Sequence, residues 1–592
     1  MSTQKWLVRF LIWRLKNIND ANFTLIIAGL VGLVAGLAAV TLKSTVHFIQ
    51  YLLEQNLDVT GVNYLYLGYP LIGILLTVIV ARLYFKEKMG HGITQILYTI
   101  SKKSSIIEKT KMYSRMITSA ITVGFGGSVG LEAPIVVTGS AIGSNLAQLV
   151  HLDYKKRTLL IGCGAAGAVS AIFNSPIAGV IFAIEVILTE VNINKFIPIL
   201  IASVMGQLVT IFLLGDDILF SFKLVEGFNA NQTHYFILLG IVAGGVSLYF
   251  TRLLYIVERR VERVKNYFSR AAIGGMGLAL LILVFPPIYG EGYESIKQLI
   301  YGTHDAFFER SFFYGLSSNT FIIIGFILFI IVVKPIATAL TIGAGGSGGI
   351  FGPSLFMGGL TGFLFAFCIN HIFPQANLNL SNFTLVGMCG VMSGVLHAPL
   401  TAIFLIAEIT SGYMLFVPLM LVSSISFVTI SYFEKYSLYT KKLIEKGDLI
   451  QYDKDLIVLS LIDMNKIIET DLLKIHPNAN LEELILLVQI SKRNIFPVVN
   501  EKNELEGIVT LDDIREIMFD ENSRKQVIIK TIMQMPPSSV SSNEKMQSVM
   551  NKFEVTQAWN LPVIDEGKYV GFVSKSRIFN AYRKKLIRQS KE

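Results

Sequence analysis

Apolar residues fill long runs from about Asn22 to about Phe433, while charged residues gather in the first 20 positions and after Glu434. Runs of this kind read as membrane segments. Many are shorter than the roughly 20 residues a helix needs to cross a bilayer, and glycine or proline interrupts several of them. The pattern predicts broken helices that end inside the membrane, where irregular backbone is tolerated only if it is buried in protein or lines water. After about Lys446 the pattern becomes that of a soluble domain, with short apolar stretches separated by polar turns.

The runs repeat. GGSVGLEAP (Gly126–Pro134) matches GGSGGIFGP (Gly345–Pro353) without a gap, and PIAGVIFAIE (Pro176–Glu185) matches PLTAIFLIAE (Pro399–Glu408). The offsets nearly agree, which predicts two homologous halves at about 22–215 and 232–436, expected to be inverted. Glycine-interrupted helices in matching places of two halves point to a substrate site at the repeat interface near the bilayer midplane. The tail holds a second duplication. IFPVVNEKNELEGIVTLDDI (Ile495–Ile514) parallels NLPVIDEGKYVGFVSKSRI (Asn560–Ile578), each reading as strand, turn, strand and helix. The fold class is therefore an all-α polytopic membrane protein of two broken-helix halves, followed by a pair of small α/β modules at 464–590.

Composition sharpens this in three places. The 592 residues are 52% hydrophobic, more than a soluble domain carries. The net charge of +9 lies mostly in residues 1–21, in loops such as KKSSIIEKTK (Lys102–Lys111) and in the tail. That distribution fits the positive-inside rule and argues against a nucleic-acid partner. It predicts cytoplasmic termini, with residues 1–21 an amphipathic helix along the membrane face. Cys163, Cys368 and Cys389 all lie in apolar stretches without metal-ligand spacing and read as packing residues.

The candidate chemistry is that of helix starts. A helix beginning inside the membrane leaves its first amides unpaired, with the positive end of its dipole beside them, and attracts an anion. Two facing starts make an anion site without a fixed positive charge, which suits rapid release. Glu132 occupies the repeat position that Phe351 fills in the second half. An intramembrane carboxylate is costly and functional by default. Ionised, Glu132 would occupy the anion site itself; protonated or displaced, it would swing away. That makes it the gate.

These motifs resemble the CLC family of chloride channels and chloride/proton antiporters, whose signature regions can be placed along residues 90–439. The resemblance implies that GLEAP (Gly130–Pro134) is the gating segment, with Leu131 and Ala133 departing from the family's Gly-Lys/Arg-Glu-Gly-Pro. Losing the basic residue weakens the positive field there. It further implies an anion-binding site to which Leu131 and Ala133 belong, with the amides of Ile350 and Phe351 and the hydroxyl of Tyr439 facing a central anion. His91, in GHGIT (Gly90–Thr94), replaces a coordinating serine; its imidazole either donates to the anion or points away and caps its helix. The family's proton-relaying glutamate corresponds here to Val186. This favours a passive voltage- or pH-gated chloride channel, with chloride/proton antiport as the alternative through Glu185, His91 or water. Glu185 and Glu408, symmetric between the repeats, otherwise read as packing or hydrogen-bonding groups.

By the same resemblance the tail modules are tandem CBS domains. Gly507, Thr510 and Asp513 fit a site for ATP, ADP or AMP, whereas Arg577 replaces the acid in the second copy, near Gly571 and Ser574. No cofactor is required. A homodimer with one pathway per subunit is implied, in a prokaryotic plasma (inner) membrane. Two remote rivals remain: an intramembrane serine hydrolase built on Ser347 in G-x-S-x-G, and a CBS-containing cation transporter, which would need several converging carboxylates or carbonyls.

Overall fold

The computed structural model describes residues 9, 12–54, 64–87, 89–188, 193–215, 227–301, 307–308, 311, 313, 319–410, 412–445, 459 and 462–591. The chain forms two compact units, Met1–Leu449 and Ile450–Glu592. In the first, eight helices among the described residues are long and apolar enough to cross a membrane. Shorter apolar helices such as Pro176–Ile187, Leu380–Leu396 and Pro399–Ile409 accompany them. Of the proposed amphipathic segment, residues 1–8, 10 and 11 lie outside the described residues; Ile12–Asn17 is helical, and a break precedes the long helix Asp20–Glu54.

The two halves correspond element by element. Glu132–Leu149, Tyr154–Phe173, Pro176–Phe182 and Ile193–Leu214 match Phe351–Ile372, Leu380–Leu396, Pro399–Ile409 and Phe416–Phe433. Helix pairs close through missing side chains, because in lipid the attraction between helices comes from packing rather than from expelling water. A Cβ on Gly139 would stand 2.2 Å from the carbonyl oxygen of Gly164, and one on Gly358 would stand 2.5 Å from that of Gly387. The same device thus joins the same helix pair in both halves.

Polar contacts between the halves are reciprocal. Glu408 accepts from the amides of Ile177 and Ala178 at 2.9 and 2.8 Å. Glu185 accepts from Leu400 and Thr401 at 3.1 and 2.8 Å, and from the Thr401 hydroxyl. Each carboxylate, late in one half's short helix, thus caps the start of the other half's, satisfying amides that would otherwise be orphaned. Their work is hydrogen bonding between halves, as the symmetric reading of the sequence anticipates.

The second unit holds two antiparallel strand pairs, β1 (Ile495–Val499) with β2 (Leu505–Thr510) and β3 (Asn560–Asp565) with β4 (Lys568–Ser574). A parallel bridge adds a further segment to each pair, Ile475 beside Val498 and Val540 beside Val563. Each module buries its own apolar core, one around Phe496, Val498 and Val509 and the other around Leu561, Val563 and Val573.

Candidate functional site

The two glycine-rich loops cross inside the first unit. Gly126 and Gly345, at φ +90° and +105°, take the left-handed conformation that a β-carbon disfavours, and so turn the chain back into the membrane. Gly130 and Gly349 then exchange backbone hydrogen bonds of 3.0 and 2.8 Å, an antiparallel bridge joining the halves. Immediately beyond it, the helices Glu132–Leu149 and Phe351–Ile372 begin.

Glu132 is only 2% exposed. Its Oε2 accepts the backbone N–H of Gly352 at 3.3 Å, in the first turn of the other half's helix, and its Oε1 accepts the hydroxyl of Tyr293. The carboxylate of one half therefore lies against the amide start of the other. Gly130 makes this approach feasible, since a Cβ there would stand 1.9 Å from Glu132 Oε2.

The remaining sequence-predicted residues are distributed as follows. Ile350 and Phe351 are buried at the facing helix start, with the Phe351 ring stacked on Phe173 at 5.2 Å and edge-on to Phe182 at 6.2 Å. Ala133 packs at Gly349, where a Cβ would be 2.6 Å from its own. The Tyr439 hydroxyl is buried without a hydrogen-bond partner, while its carbonyl accepts from Thr94 at 3.0 Å. A buried phenol of this kind is an available donor. Val186, in the turn Ala183–Ile187, is apolar and half-buried against the core.

The Leu131 amide donates to Glu291 Oε1 at 2.9 Å, so a carboxylate stands where the anion is expected. Further expectations need correction. His91 neither donates Nε2 to an anion nor caps its helix; Nε2 lies 3.0 Å from Glu258 Oε2, and Lys442 Nζ lies 2.6 Å from Glu258 Oε1. A buried carboxylate is the strongest partner available to that imidazole. The site also has a buried amine. Lys334, fully buried, donates to Ser128 Oγ at 2.9 Å and stands 4.6 Å over the Phe356 ring. In the tail, Thr510 and Asp513 form a helix capping box, and Asp513 Oδ1 also accepts from Gln534 at 2.6 Å. Both carboxylate oxygens are thereby paired within the protein, which leaves the acid poorly placed to take a ribose.

The buried hydroxyl of Ser347 has no hydrogen-bond partner among the described residues. His397 Nε2 lies 3.0 Å from the Glu434 carbonyl oxygen, and His371 lies edge-on to Phe321. The residues that sequence reasoning missed are Glu291, Tyr293, Lys334, Glu258 and Lys442. Lys334 carried a signal, an ionisable residue within an otherwise apolar 24-residue helix.

Two broken-helix halves crossing at facing helix starts, with the carboxylate of one half on the amide start of the other, define a membrane protein built to pass anions. The family model described as voltage gated chloride channel matches residues 72–431, and the CBS domain model matches residues 464–520 and 529–584. The chain belongs to the voltage-gated chloride channel (CLC) family and carries a CBS pair.

Among similar proteins, the H(+)/Cl(−) exchange transporter ClcA of Yersinia pestis is 27% identical over 411 residues, 67% of this chain and 82% of that protein. A putative chloride channel protein ClcB-like of Ralstonia nicotianae is 24% identical over 442 residues, covering 72% and 97%. Chloride channel protein CLC-f of Arabidopsis thaliana is 28% identical over 355 residues, 56% of this chain and under half, 44%, of that protein. Two solved structures share the fold. A slow cyanobacterial Cl−/H+ antiporter aligns with a TM-score of 0.62 at 21% identity, over 74% of this chain and 100% of that one. A eukaryotic CLC transporter aligns at 0.60 and 18%, over 94% and 97%.

Proposed function

We propose that this protein exchanges chloride for protons across the membrane, with Glu132 as the group that both competes with the anion and carries the proton. The observation that carries this reading is the contact of Glu132 Oε2 with the Gly352 amide. An ionised carboxylate at a helix start stands in for an anion. Chloride arriving from either side must displace it, and a displaced carboxylate that meets water takes up a proton. Neutral Glu132 then has less hold on the amide and leaves the site to chloride. Release of the proton on the opposite side restores the plug. The Tyr439 hydroxyl, buried and without a protein partner, is a suitable donor to the same anion. The exchange-transporter name of the Yersinia relative supports coupling over free conduction.

Passive conduction is the second reading, favoured by one residue. Valine at position 186 cannot relay a proton, so the inner half of a proton path must run elsewhere. The two readings separate in vesicles loaded with high chloride and diluted into low chloride at equal pH. Exchange draws protons inward as chloride leaves, and the outside becomes alkaline. Chloride loss with no proton movement would establish a channel instead.

Further parts of the reading are a homodimer with one pathway per subunit and cytoplasmic termini, the latter supported by the basic residues of the loop Lys102–Lys111.

A further inference from the structure

The loop after the helix Tyr267–Val284 brings a second carboxylate to the gate. Glu291 lies between Gly290 and Gly292, both left-handed at φ +61° and +85°, and this backbone holds the loop tightly against its neighbours. Gly290 donates its N–H to the carbonyl of Gly126 at 3.3 Å, and a Cβ on Gly292 would strike the Phe356 ring at 2.5 Å. The loop is thus fixed to the signature segment of the first half on one side and to the second half's helix on the other. From that position Glu291 accepts the amide of Leu131 at 2.9 Å, while Tyr293, two residues on, donates to Glu132.

Each helix start therefore already holds a carboxylate, Glu132 on Gly352 and Glu291 on Leu131. Glu291 is half-buried, whereas Glu132 is buried, so Glu291 is the more accessible of the two carboxylates. The charged groups acting on Glu291 are Glu132, Lys43 and Lys334. The other titratable groups around this corner are Tyr293, Glu294 and Lys297 on the following helix and His47 on the helix Asp20–Glu54.

We infer that Glu291 is a second gating acid: an incoming anion displaces it from the Leu131 amide before reaching Glu132, and the two carboxylates hold a proton in common. Two acids whose charges act on each other do not both remain ionised without cost, and such a pair titrates as a unit. The sequence of events follows from exposure. Glu291 meets the anion and the proton first. Its protonation frees the Leu131 amide, and the proton then has a neighbouring carboxylate, Glu132, to pass to. The transfer moves one proton between two carboxylates and leaves the charge of the pair unchanged.

This inference rests on Glu132 being the gate, and the test separates the two. Chloride efflux from vesicles containing the full-length protein is measured from about pH 5 to about pH 8, a range spanning raised carboxylate titrations, for the parent protein and for E132Q, E291Q, E291D and the double E132Q/E291Q. The expected result is that E132Q keeps a shallow pH dependence, E291Q shifts the midpoint by about one pH unit, and the double variant is flat. E291D, which keeps the charge on a shorter arm, should return the midpoint toward that of the parent. If E132Q alone flattens the profile and E291Q superimposes on the parent, the second acid is excluded while the gate stands. Should E132Q itself superimpose on the parent, the gate reading fails. An E291Q protein that elutes like the parent yet conducts at no pH would also overturn the inference, since removing a plug cannot close the path.

Discussion

Alanine at Gly130 tests the plugged helix start without touching an ionisable group. The added methyl would lie 1.9 Å from Glu132 Oε2 and 2.9 Å from the amide nitrogen of Gly352. Backbone at a bridge held from both sides cannot yield, so the carboxylate must move by at least about an ångström to reach ordinary contact, and the 3.3 Å bond to Gly352 is lost. A hydrogen bond to a charged acceptor contributes about 1.5–3 kcal/mol, so the plugged state should lose about tenfold to a hundredfold in population relative to the open one. The methyl also occupies space beside the amide that an anion would use. Gly130→Ala should therefore show chloride efflux with a shallower pH dependence than the parent, together with weaker apparent chloride affinity. Gly325→Ala is the control, because a Cβ there would meet nothing within 4 Å. A Gly130→Ala protein with the parent's pH profile and affinity would refute the claim that the carboxylate sits on the facing helix start.

Lys334→Met should leave thermal stability in detergent within about 1–2 kcal/mol, because an apolar side chain avoids the desolvation cost of a buried amine, while weakening apparent chloride affinity through loss of the donor behind Ser128; unchanged affinity in titrated efflux would remove the lysine from the site. Glu408→Ala strands the amides of Ile177 and Ala178 and should cost about 2–4 kcal/mol, read as a fall in unfolding temperature that Glu408→Gln, with one acceptor left, shows only in part. In the tail, the hydroxyl and amide of Ser542 and the hydroxyl of Ser541 hold the Asp565 carboxyl below the usual carboxylate range. A depressed value stabilises the folded unit above the unfolded-state pKa of about 4 and is lost as pH falls through the folded value, so Asp565→Asn should flatten the acid limb of tail unfolding followed by hydrogen exchange, and an unchanged limb would show that the bond is immaterial.

What the sequence made legible was whatever repeats or carries a charge where none belongs. Two copies of a glycine-rich motif were enough to place crossing helix starts and to single out Glu132, since a carboxylate opposite Phe351 breaks a symmetry visible along the chain. Partners were not legible, because they come from distant elements: Tyr293 reaches Glu132 across 161 positions and Glu258 reaches His91 across 167. Spacing within a motif carries no trace of such pairing. Local pattern assigned His91 and Asp513 to an external ligand, and each is engaged by another part of the chain. A polar group buried in protein must be satisfied somewhere, and in a folded chain the nearest supplier is often the protein itself. Glu132 differs from those two in what its partner is. Its carboxylate is held by a long 3.3 Å contact to an amide at a helix start, a donor that any small anion can claim in its place. Internal satisfaction that a solute can replace is the physical condition for a gate, and the pairing of His91 with Glu258 and Lys442, closed by two opposite charges, does not meet it.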